Sequence, residues 1–161
     1  MEILFRPALI VAALSSLLVG FIWYNPKVFG NIWMKEAGIT MNPNEKPNMV
    51  KMFGLSVLCA YFIAFVLQFN VIHQMGVYSA TEGIQNIDPS VLDNFIKAYG
   101  ETFRTFKHGA LHGTMVGLFL CLPTLGTGAI YEKRSFKYVM IAGGYWVVTC
   151  ALMGGIICGW N

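Results

Sequence analysis

Charge is what this sequence has least of. Of 161 residues, 11 are Lys or Arg and 8 are Asp or Glu, 12% of the chain, against roughly 25% in an average soluble domain. About half the usual solvated surface is missing, while 56% of the residues are hydrophobic. The shortage is uneven. Stretches 7–26, 52–81, 108–131 and 138–161 contain no Asp, Glu, Lys or Arg at all. Each is long enough for a helix to cross a hydrocarbon core, which takes ~20 apolar residues. Also missing is the alternation of ~10-residue segments that marks barrel strands, so helices must satisfy the backbone polar groups in lipid. No CxxC pair occurs. Cys59, Cys121, Cys150 and Cys158 all lie inside the apolar runs and read as inert small hydrophobes. A dispersed net charge of +3 excludes the basic footprint of a nucleic-acid binder. No small-x-small cleavage site follows the first run, where the sequence is the bulky FIWYNPKVFG, so that run is expected to be retained.

The pattern predicts one transmembrane domain over 1–161, an all-α four-helix transmembrane bundle with spans at about 4–24, 52–73, 107–130 and 137–160. Two interfacial amphipathic segments are expected. In 27–36, Val28, Phe29, Ile32 and Trp33 recur at helical spacing. In 89–107, Asp88-Pro89 supplies a cap and a first-turn proline, and Val91, Leu92, Phe95, Ile96, Tyr99, Phe103 and Phe106 form a stripe. The second segment is expected to run unbroken into the third span. Four spans put both termini and the 82–107 loop on one side, with Arg6, Lys97, Arg104 and Lys107. The other side carries Lys27, Lys35, Lys46, Lys51, Lys133, Arg134 and Lys137. That excess favours termini outside and the two basic loops in the cytoplasm.

Small residues recur at every fourth position of the spans. The third has Gly109, Gly113 and Gly117; the fourth has Ala151, Gly155 and Gly159. Such faces let backbones approach closely, the main source of helix packing in lipid. Gly20 before Pro26 and Gly117 before Pro123 share a six-residue offset, which would fit a doubled helical hairpin.

His108 and His112 stand one turn apart where the third span begins, and a helix would place Glu101 and Arg104 on their face. Two histidines at i, i+4 can hold a metal, with Glu101 or His73 as a further ligand. Three readings follow: an interfacial polar cluster, a ligand contact or proton relay, and a metal or haem site. With no HExxH, no Cys/His quartet and no second carboxylate in a span, the first is preferred. No metal and no cofactor are expected. Tyr145, deep in the fourth span, needs a partner for its phenol, for which His112 or Gln68 would serve.

The segments WYNPKVFGNIWMKEAG, HGTMVGLFLCLP and SFKYVMIAGGYWVVTCALMGGIICGW resemble a bacterial family of small four-helix membrane proteins known only as a domain of unknown function. The likeness rests on Trp23-Tyr24, Pro26, Phe29-Gly30, Trp33, His112-Gly113, Gly117, Pro123 and Gly144-Tyr145-Trp146. It implies the four-span fold and placement in a bacterial inner membrane, but no activity. The expected role is non-enzymatic: an accessory or assembly subunit whose partners are the bilayer and other membrane subunits, or further copies of itself. A small proton-coupled transporter and a metal-binding membrane enzyme are the alternatives.

Overall fold

The computed structural model describes residues 6–40, 47–84 and 88–160. These residues are helical, with no strand among them. In chain order the helices are α1 (Pro7–Trp23), α2 (Gly30–Ala37), α3 (Met49–Val71), α4 (Gln74–Thr81), α5 (Pro89–Tyr99), α6 (Phe106–Val116), a π-helical turn (Gly117–Cys121), α7 (Leu122–Tyr131) and α8 (Phe136–Gly159). Local chemistry sets their starts. Asn48, Asp88, Thr105 and Ser135 each accept a backbone N–H of the turn they open, at 2.9 to 3.3 Å. Pro7 and Pro89 occupy first turns, where no N–H is needed. Gly38 closes α2 at φ 66°, a left-handed cap that glycine takes without steric cost.

Three helices are long and apolar enough to cross a membrane: α3, the continuous run Phe106–Tyr131, and α8. They mark the chain as a membrane protein. The first expected span appears as the shorter apolar α1, whose 17 residues extend about 26 Å at 1.5 Å per residue. In the Phe106–Tyr131 run, the π turn ends just before Pro123. Proline lacks an N–H and its ring presses on the carbonyl four residues back; the wider turn relieves that clash. The hydroxyls of Thr124 and Thr127 donate to Leu120 O (2.7 Å) and Pro123 O (3.0 Å), so carbonyls around the irregularity keep donors.

The helices pack about α8. On one side Leu9, Ala12 and Ala13 of α1 meet Ala60, Ala64, Leu67 and Val71 of α3 and Met153, Ile157 and Cys158 of α8. On the other, α6 lies on α8 at backbone distance. A β-carbon built on Gly109 would fall on the carbonyl oxygen of Gly154, on Gly113 on that of Cys150, and on Gly117 on the Cα of Val147. Gly155 and Gly159 accommodate Phe106. Outward faces stay apolar: Phe21, Phe62 and Phe119 are all exposed. At the end where α2 lies, Arg134 donates to Ala37 O, and the Ser135 hydroxyl donates to Glu36 (2.5 Å). Trp23 Nε1 donates to Ile141 O at 3.0 Å.

Two expectations need correction. The 89–107 segment is not one helix: α5 stops at Tyr99, a turn occupies 100–105, and Thr105 caps a new helix. The apolar stripe continues across the break and hides it, while Phe103 takes φ 64° and cannot be helical. The two prolines are not equivalent either. Pro26 follows α1 in a turn, whereas Pro123 lies inside a continuing helix, so their shared offset does not mark a repeated structure.

The glycine contacts predict contrasting variants. Gly113→Leu should destabilise by at least the upper end of the ~1–3 kcal/mol seen for overpacking, because backbone faces the new side chain. At roughly 2–4 °C per kcal/mol for a chain of this size, the melting temperature in detergent should fall by roughly 6–12 °C. Gly128→Ala meets nothing within 4 Å and should be neutral or stabilise by up to ~1 kcal/mol. Equal melting of the two variants would contradict the packing described.

Candidate metal centre

The third histidine reaches the other two because α3 ends abruptly. Ile72 breaks the helix with extended torsions (φ −108°, ψ 95°), and His73 then opens α4. The break turns His73 toward the start of α6, where Thr105 fixes the first turn and His108 and His112 follow. His73 Nε2 lies 2.8 Å from His108 Nε2, a hydrogen bond that requires one ring to donate and the other to accept. The ring centroids are 4.9 Å apart for His73 and His108, 4.9 Å for His73 and His112, and 4.5 Å for His108 and His112. One ligating nitrogen from each ring lies within 4.8 Å of the others. His73 is exposed; the other two are half-buried.

The surrounding turn is tied down from three directions. Phe103 stacks on His108 (5.0 Å between centroids, 21° between planes) and meets His73 edge-on. Gln74 donates its amide to Tyr99 O (3.0 Å) and Thr102 O (2.9 Å). Arg104 donates to Cys158 O (3.1 Å) and Trp160 O (2.8 Å), closing the C-terminus of α8. The Cys158 thiol faces Val71 O (3.2 Å) and Phe103 O (3.3 Å), so it touches the carriers of both His73 and the stacking ring.

The other residues singled out in the sequence lie elsewhere. Glu101 is outside the imidazole cluster and lines a separate cavity with Arg104. Gln68 is fully buried in α3, beside Leu67 of the α1–α3–α8 core. Tyr145 bonds neither His112 nor Gln68. Its phenol donates to Ser16 O at 3.1 Å, and its ring packs against Tyr24 and Trp146. Gly109, Gly113 and Gly117 face α8 beneath the histidines, Ala151 lies against Gly113, and Gly155 and Gly159 lie under Phe106. Two contributors carried no recognisable sequence signal. Cys158 reads as a small hydrophobe, and Phe103 as one more member of an apolar stripe.

The family model for proteins of unknown function designated DUF1761 matches residues 7–158, and the chain belongs to that family. No curated protein and no solved structure is similar enough to match.

Phe103 gives a test of this geometry. A non-glycine residue in the left-handed region costs roughly 1–2 kcal/mol. Phe103→Ala deletes the stacked ring and keeps that cost; Phe103→Gly deletes both. The glycine variant should therefore be the more stable of the two by ~1 kcal/mol, opposite to the ordinary order of alanine over glycine. Thermal unfolding in detergent measures the difference, and an alanine variant at least as stable as the glycine variant would contradict the torsion.

Proposed function

We propose that this DUF1761 protein is a four-span membrane protein that holds a first-row transition-metal ion, zinc by default, between His73, His108 and His112 at the membrane boundary. The carrying observation is the convergence of three imidazoles from two elements 35 residues apart in sequence. Imidazole suits zinc, copper and nickel. Zn–N bonds of 2.0–2.1 Å put tetrahedral ligand atoms ~3.3 Å apart, and the nitrogens already lie within 4.8 Å of one another. The His73–His108 pair, at 2.8 Å, would give up its hydrogen bond and open by ~0.5 Å to reach that spacing. Three protein ligands leave a fourth position open for water or an anion, the arrangement found in catalytic rather than structural zinc sites. Among the described residues no carboxylate or thiol belongs to the cluster, so none of them offers a general base beside a metal held there. Binding or delivery of the ion is the reading this favours over hydrolysis.

The fourth span in this proposal is α1. Arg6 precedes it and Trp23 and Tyr24 end it, a flank of charge and aromatics that suits two interfaces. The result is a four-helix bundle in which α8 is central. In a bacterial inner membrane, the seven-to-four distribution of basic residues would put the histidines at the outer surface. The accessory-subunit role expected from the sequence rests on the small-residue faces and on the amphipathic 89–107 segment. Gly109, Gly113 and Gly117 are engaged within the chain itself, which weakens the first of those two supports.

Protein purified without a polyhistidine tag should carry or take up about one equivalent of zinc by elemental analysis. His73→Gln, His108→Gln and His112→Gln should each weaken binding by at least about tenfold, the scale on which even outer-shell partners act. Affinity should be full above the imidazole pKa of about 6.5 and fall steeply below it, because protonated rings cannot ligate. A wild-type protein that takes up no zinc, copper or nickel, or three variants that bind like wild type, would overturn the proposal.

A further inference from the structure

A cavity of about 570 Å³ is lined by Gly100, Glu101, Thr102 and Arg104 of the turn before α6, with no imidazole in its lining. Its charged lining is contributed by Arg6 before α1, Lys97 on α5 and Arg104 in the turn, and its apolar lining includes Ile72, Met75 and Ile96. Glu101 also lines it, yet pairs with none of the three cations; the one ion pair among the described residues joins Arg134 and Glu132. The lining therefore carries three positive charges against one negative.

Of the three cations Arg104 is fixed by its bonds to the α8 carbonyls, while neither Arg6 nor Lys97 has a side-chain hydrogen bond among the described residues and both are free to turn toward a ligand. Burial, and then the charge of Arg104, push the Arg6 guanidinium below its ordinary pKa, as happens when like charges share a partly desolvated space. A bound anion would relieve both effects. Gln74 lines the same cavity, and its amide oxygen is buried without a hydrogen-bond partner among the described residues.

We infer that this cavity binds a phosphate-type anion attached to an apolar chain, the chemistry of an anionic phospholipid such as phosphatidylglycerol. Guanidinium groups match phosphate oxygens in charge and geometry, and basic pockets beside membrane helices take lipid headgroups. The apolar wall distinguishes an amphiphile from a free ion. The inference is independent of the metal reading, since no imidazole lines the cavity.

The test is thermal unfolding of the full chain in a non-ionic detergent, titrated separately with phosphatidylglycerol, phosphatidylcholine and inorganic phosphate. Phosphatidylglycerol should stabilise saturably, and phosphatidylcholine should not. Arg6→Gln and Lys97→Gln remove charge without removing any hydrogen bond among the described residues. Each should raise the lipid concentration needed by about fivefold, the factor expected for one cation near an anionic headgroup. Unchanged titration of both variants overturns the site, as does equal stabilisation by phosphatidylcholine. Stabilisation by inorganic phosphate alone overturns the lipid assignment and makes the free anion the ligand.

Discussion

Two helices in lipid gain little by hiding apolar surface from each other, because the surrounding acyl chains are as apolar as their side chains. Closeness of approach decides whether they hold. Here the decisive approach is between α6 and α8, where Gly109, Gly113 and Gly117 put one backbone on another. The rest of that end of the molecule depends on it. With α6 seated on α8, Phe106 lies over Gly155 and Gly159, the turn before it comes within reach of the last α8 carbonyls, and Arg104 can satisfy them. A larger residue at any of the three glycines would lift the histidines' helix away from the residues that surround them.

The same helix pays for an irregularity in its second half. A π turn inserts one extra residue per local turn, and the one at Gly117–Cys121 lets the chain meet Pro123 without breaking. The glycine face above it and the α7 face below it can then each meet α8 in its own register. Regular α-helix would hold the two halves in one phase.

The long apolar runs could be read because lipid demands length and continuity, properties visible residue by residue. The spacing of His108 and His112 was visible for the same reason, since i and i+4 share a face wherever the helix lies. The approach of His73 was not. It depends on Ile72 leaving the helical region, and nothing in VIHQMG announces that break. Placing Arg6, Lys97 and Arg104 on one side of the membrane followed from counting spans, but their shared cavity depends on how α4 and α5 fold back. Tyr145 illustrates a different limit. Its partner is the backbone oxygen of Ser16, and a carbonyl has no sequence signature. The stripe through 89–107 misled because apolar periodicity continues across a turn whose Phe103 is left-handed.

The departure and return of the chain between α3 and the membrane-length run Phe106–Tyr131 coincide in space. His73 and His108 bound an excursion of 34 intervening residues, and their rings touch. The two ends of the segment are thus fixed by the packed helices, whatever lies between them. Closing a loop costs only ~0.6 kcal/mol more for each doubling of its length. A change of length inside such an excursion would cost the packed helices little, so long as Gln74, Phe103 and Arg104 near its two ends keep their contacts.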